Sequence, residues 1–218
     1  MGRWDEAEQE ARAACSEVQS VDLLHAGVAH AQIGSALLAR GDLVAAEASF
    51  AHALACGTSA QPGLALLRLA QGEPEAAAAS MRGALTDPHL DFAARGRLLS
   101  AAVDIALAAG DYVAAEHASA ELQEMAERYA TPVLQAAADT ARASLAMCRG
   151  DAATAVGALR QAARVWVRLR APGRLIEVRR RIADALDALG DHTGAALERA
   201  GLSSTSGPFP PRTGSSPI

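Results

Sequence analysis

The chain has 218 residues, half of them hydrophobic, and a formal charge of −5, which suits a sizeable folded core and is too mild to mark the whole chain as a nucleic-acid surface. All twenty basic residues are Arg, and without Lys the chain can build neither a Walker A phosphate loop nor a lysine Schiff base, which excludes ATPase and pyridoxal chemistry. Alanine supplies about a quarter of the positions while Val, Ile, Thr and aromatic residues are sparse, so the composition predicts an all-α protein whose helices meet through Ala and Leu surfaces.

The start, Met1-Gly2-Arg3-Trp4-Asp5-Glu6, is polar and acidic and does not read as a secretion signal. Walking on, the chain repeats itself at Gly2-Arg3, Gly41-Asp42, Gly72-Glu73, Gly110-Asp111, Gly150-Asp151 and Gly190-Asp191, with spacings of 39, 31, 38, 40 and 40. Periods of this size in a helical sequence mark stacked helical hairpins, each burying its apolar face against the next. Glycine suits a helix end with positive φ, and the acid after it complements the dipole of the following helix. Five residues beyond each glycine stands an alanine, at Ala7, Ala46, Ala77, Ala115, Ala155 and Ala195, as a close contact between paired helices demands.

First helices of the hairpins are predicted at about 21–40, 61–71, 91–109, 131–149 and 172–189, with Pro62, Pro132 and Pro172 in first-turn positions. Second helices follow the glycines. In the first of these, Phe50, Ala53 and Leu54 recur one repeat later as Met81, Ala84 and Leu85, and more loosely as Leu159 and Ala162. Helix 111–129 places Ala115, Ala118, Leu122, Met125 and Tyr129 on one side and Glu116, Glu121, Glu124 and Glu127 largely on the other. In 172–189, Leu175, Ile176, Val178, Ile182, Leu186 and Leu189 form the apolar stripe. The expected organisation is a right-handed superhelical array of about five and a half tetratricopeptide-like hairpins over 1–202, opening on a half hairpin, then a disordered Pro/Ser/Gly-rich tail over 203–218.

Candidate chemistry is thin. Cys15, Cys56 and Cys148 are far apart and odd in number, which fits neither a disulfide framework nor a zinc site and suits a cytoplasmic setting. The six histidines form no pair with metal-ligand spacing, no nucleophile motif places a Ser with His and Asp, and no apolar run reaches the ~18 residues of a membrane helix. Neither catalytic residues nor a cofactor site is therefore expected. One charge asymmetry stands out: eight arginines between Arg160 and Arg181 face the single acid Glu177, and Arg160, Arg164 and Arg168 recur every four residues. These three would either form a solvated face paired with acids such as Glu121 or Glu124, or clamp the carboxylates or phosphates of a partner. Trp4 and Trp166 read either as core or as partner anchors.

The hairpins resemble tetratricopeptide repeats, and the strings Gln61-Pro62-Gly63-Leu64-Ala65-Leu66-Leu67-Arg68-Leu69-Ala70-Gln71-Gly72, Ile105-Ala106-Leu107-Ala108-Ala109-Gly110-Asp111 and Ala183 through Asp191 resemble the repeat region of large LuxR-family transcriptional regulators of the maltose-regulator type. That resemblance covers about 1–200 and implies a sensor or interaction segment taking a protein, a peptide or a small effector on its first helices. It carries over neither the family's ATP-binding module nor its DNA-reading helices, so direct DNA binding is not expected. A stand-alone scaffold unrelated to transcription is the other reading; an enzyme without a readable motif is the remote one. The exposed apolar face of a half hairpin would suit pairing of two copies.

Overall fold

The structure is a computed structural model that describes residues 8–10, 12 and 23–205, with the side chains described as far as residue 202. Among the described residues there is no strand. Ten helices follow Leu23: α1 (Leu23–Arg40), α2 (Leu43–Ala55), α3 (Gly63–Ala70), α4 (Pro74–Leu85), α5 (Phe92–Ala108), α6 (Tyr112–Tyr129), α7 (Pro132–Cys148), α8 (Ala152–Arg168), α9 (Pro172–Ala188) and α10 (His192–Thr205). Each packs on its neighbours in the chain, and the odd helices also meet one another, α1 with α3, α3 with α5 and α5 with α7. The protein is thus an all-helical repeat array, with the odd helices in one row.

The turns show why the period survives. At Gly110 and Gly150 φ is +74° and +77°, a conformation that costs a residue with a Cβ about 1–2 kcal/mol. The residue after each turn glycine sends its N–H back to the carbonyl five positions earlier: Asp42 to Leu37 at 3.0 Å, Glu73 to Arg68 at 2.9 Å, Asp111 to Ala106 at 2.9 Å, Asp151 to Ala146 at 2.9 Å and Asp191 to Leu186 at 2.9 Å. These Schellman closures satisfy carbonyls that the helix end leaves open. The acid then acts as more than a dipole complement. The carboxylates of Asp42, Asp111 and Asp151 accept the N–H of Ala45, Ala114 and Thr154 at 3.1, 3.0 and 3.0 Å and so cap the next helix. Glu73 makes no such bond, and Pro74 at the first helical position needs none from its own nitrogen. Pro132 and Pro172 take first-turn places as predicted, whereas Pro62 stands one residue outside α3.

Ala46, Ala77, Ala115, Ala155 and Ala195 are all fully buried, so the residue five beyond each described turn glycine is where the helices of a hairpin touch. Ala7 and the turn at Gly2 lie outside the described residues. Residues 8–10 and 12 are helical, and Glu8 pairs with Arg40 at the end of α1 at 2.6 Å. At the other end α10 continues to Thr205, past the point where the tail was expected, and 206–218 are outside the described residues.

The core runs along the array in three groups: Ile33, Leu37, Phe50 and Leu67 across α1–α3; Met81, Leu99, Ile105 and Leu122 across α3–α7; and Leu159, Val178, Ile182 and Leu186 across α7–α10. Phe50, fully buried, supplies the one large ring of the first group, and two glycines make room for it. A Cβ at Gly34 would stand 2.6 Å from Cδ1 of Phe50, and one at Gly63 2.5 Å from Cε1. Three residues expected in the core are instead exposed: Leu54 (51%), Tyr129 (42%) and Leu189 (49%). All three sit at or next to helix ends. Tyr129 stacks on Phe92, with ring centroids 4.8 Å apart.

Among the described residues one carboxylate is buried. Asp139 on α7 is 4% exposed and accepts a bond from Arg142 Nη2 at 2.8 Å. Burial holds its carboxyl above the usual carboxylate range, against the opposing pull of Arg142 and Gln135.

Two outcomes are expected in urea denaturation. Gly63→Ala should lower stability by about 1–3 kcal/mol because Phe50 has nowhere to go, while Gly157→Ala should raise it by about 0.5–1 kcal/mol. Gly157 lies inside α8 with open space where its Cβ would be, so equal effects of the two changes would refute the ring-clearance account. Asp139 has a raised pKa in the fold, so its charged form destabilises the protein above that range and its protonated form does not below it. Asp139→Asn should therefore raise the urea midpoint at neutral pH, and the gain should shrink as pH falls through the raised carboxyl range.

Candidate functional site: an arginine-walled groove

Helix α8 is phased by its buried residues. Ala155, Val156, Leu159, Ala162 and Val165 face the core, and the capping bond from Thr154 to Asp151 fixes where the helix starts. That phase leaves Arg160, Arg164 and Arg168 on the exposed side, one turn apart, with successive Cα atoms about 6 Å apart along the axis. They wall a groove of about 660 Å3 together with Gln161, Ala163 and Val167 of the same helix. Leu175, Arg179 and Ile182 of α9 form its floor, and Glu198 of α10 stands on the far side.

Of the eight arginines of this segment, Arg174, Arg179 and Arg181 are ion-paired among the described residues, while Arg160, Arg164, Arg168, Arg170 and Arg180 are not, and of these five only the first three line the groove. Arg174 pairs with Glu177 at 3.2 Å, and Arg179 reaches Glu198 with Nε to Oε2 at 3.6 Å. Arg181 crosses the odd row: its Nη2 meets Asp104 Oδ2 of α5 at 2.6 Å and its Nη1 bonds to Ser144 of α7 at 3.0 Å. Ser144 in turn donates to Asp104 Oδ1 at 2.8 Å. Its burial opposes the Arg181 charge, yet the bonds to Asp104 and Glu177 hold the guanidinium above its usual range. Arg160, Arg164 and Arg168, in contrast, have neither an ion pair nor a hydrogen bond among the described residues. The pairing with Glu121 or Glu124 that would make them a self-satisfied surface does not form. Glu121 is taken by Arg95, and no pair links Glu124 to α8.

Three like charges at successive i, i+4 positions repel one another, a cost of a few tenths of a kcal/mol per pair at the surface. With Val167 exposed beside them and Leu175 partly exposed below, the arrangement suits a ligand that brings its own negative charge and some apolar surface. Arg179 differs, since Glu198 already neutralises it. Sequence spacing found the α8 stripe, but it missed the floor and the opposite wall. Leu175 and Ile182 were legible only as core positions, and Glu198 comes from the next repeat with no local signal. The Asp104–Ser144 bond did have one: both residues stand six before a turn glycine, one period apart.

Other candidates are placed as follows. Trp166 is half-buried and packs against the α7–α10 core, which makes it a core residue, and Trp4 lies outside the described residues. His30 and His52 face each other across α1 and α2 with centroids 5.0 Å apart. Burial, then the neighbouring His52 and Arg12, lowers the His30 pKa. Among the described residues no three His, Cys, Asp or Glu side chains converge on a metal-sized site. No described helix is long and apolar enough to cross a membrane.

No family model matches the chain, and no curated protein matches it. The chain is similar to a solved crystal structure, BtubC (BKLC) from P. vanneervenii, with a TM-score of 0.57 and 16% identity, over 100% of this chain and 99% of that one. At that identity the likeness shows the fold alone.

Arg164→Ala should leave stability within about 0.5 kcal/mol of the parent, since it breaks no contact, whereas Arg181→Ala should cost about 1–3 kcal/mol by stranding Asp104 and Ser144. Urea titrations of both variants test the contrast, and a large loss from Arg164→Ala would mean that the stripe is structural.

Proposed function

We propose that this protein is a non-catalytic binding module: a tetratricopeptide-like, right-handed solenoid that takes a negatively charged partner in the α8–α10 groove and serves as the sensor or interaction segment of a LuxR-type transcriptional regulator. The observation that carries the binding reading is the row of three unpaired arginines, one helical turn apart along α8, that walls the groove beside the exposed Val167. The likeness of the strings at 61–72, 105–111 and 183–191 to that regulator family supports the transcriptional role. In this reading the chain itself contributes neither ATP hydrolysis nor DNA contact, and the free thiols of Cys56 and Cys148 fit a cytoplasmic setting.

A stand-alone scaffold is the second reading. A coding region that joins this chain to a Walker module upstream or a helix-turn-helix downstream would support the regulator. Unrelated neighbouring genes on both sides would favour the scaffold.

Binding itself is tested by fluorescence anisotropy with labelled poly-L-glutamate at low ionic strength. Saturable binding that weakens with salt, and that falls by ~10-fold or more in the double variant Arg164→Glu/Arg168→Glu, is the expected result. No binding to the parent chain, or equal binding to the variant, would reject the groove as an anion site.

A further inference from the structure

The groove also constrains the form of what occupies it. Along α8 the wall offers a positive charge at Arg160, Arg164 and Arg168, about 6 Å apart over a span of about 12 Å. A helix with carboxylates at i, i+4 and i+8 presents negative charge at the same interval, so guanidinium and carboxylate meet in register at all three positions. The exposed Val167 and the partly exposed Leu175 call for apolar side chains next to those carboxylates, while Ile182 beneath them is 2% exposed and belongs to the core. Val167 is 57% exposed, apolar surface that a docking helix would cover.

Backbone chemistry points the same way. An extended peptide laid here would have to find partners for its N–H and C=O groups, and Gln161 is the only uncharged polar side chain lining the groove. A helix satisfies those groups internally and asks the groove only for side-chain contacts. Nucleic acid fits less well. Neither Trp, Tyr nor Phe lines the groove to stack a base, and Glu198 on the far wall repels a phosphodiester chain. The local charge supplied by the free arginines is +3 within a chain of −5, so it attracts an acidic segment while the remainder of the surface does not favour a long polyanion.

We infer that the α8–α10 groove is a docking site for an acidic amphipathic helix of a partner protein, with glutamates or aspartates set every fourth residue against Arg160, Arg164 and Arg168 and leucine-type side chains on Val167 and Leu175. This rests on the anion-binding reading above and narrows it to one class of partner.

The test uses the full chain and four labelled probes of matched charge: a designed peptide of about four turns with Glu every fourth residue and Leu one position after each, a scramble of the same composition, poly-L-glutamate, and oligo-dT. The designed peptide should bind ~10-fold or more tightly than each of the others, and its circular dichroism at 222 nm should gain helix on mixing. Arg164→Glu/Arg168→Glu should weaken every anionic probe. Val167→Asn, a change at an exposed position, should weaken the designed peptide more than it weakens poly-L-glutamate.

The outcomes separate the two levels. If poly-L-glutamate binds and the scramble equals the designed peptide, the groove is an anion site without helix selectivity, and this inference falls while the broader one stands. If neither binds, both fall. Tighter binding of oligo-dT would turn the site over to nucleic acid. Sedimentation of the parent as a dimer and of the double variant as a monomer would assign the groove to a second copy of the chain and overturn the inference.

Discussion

The fully buried alanine five residues past each turn is the contact on which everything else depends. At Ala46, Ala77, Ala115, Ala155 and Ala195 the side chain is a single methyl group, fully enclosed by the fold. Any larger side chain there would push the helices apart and open gaps, which interiors near crystal packing density do not tolerate. The same contact sets the rotation of each second helix. In α8, burying Ala155 fixes Leu159 and Ala162 inward, and that rotation turns Arg160, Arg164 and Arg168 outward. The groove is in this sense a by-product of where one alanine sits.

Much of the fold was legible because its signals are local and repeat. A glycine that must adopt positive φ, an aspartate that must cap, and an alanine that must be small recur at one spacing, and each requirement is met within a few residues of chain. Helices α1, α3, α5, α7 and α9 fall within a few residues of their expected ranges for that reason. Periodicity said less about helix ends. Tyr129 and Leu189 lie on the apolar stripes of their helices, yet both are exposed at the helix ends, and no pattern within one helix reveals how far its neighbour reaches.

The candidate site was half legible. The arginine stripe is visible as a four-residue spacing, while its lack of partners is a tertiary fact, since α8 packs on α7 and α9 and not on the helix that carries Glu121 and Glu124. The pairing of Arg181 with Asp104 joins residues 77 apart and could not be read from charge patterning along one helix. The structure thus sorts one arginine-rich segment into residues that hold the odd row together and residues that face solvent unpaired, a distinction that composition blurs.

The Asp104–Ser144–Arg181 bridge has a consequence for how the array comes apart. A stack of repeats touching only their neighbours loses structure from its ends, one hairpin at a time, because each interface fails independently. Arg181 adds a tie that skips over α7 to reach α5. Releasing α9 and α10 therefore means breaking a bond two hairpins back as well as the adjacent interface. Cooperativity extends across α5–α10, and the groove is kept folded by residues that never touch it.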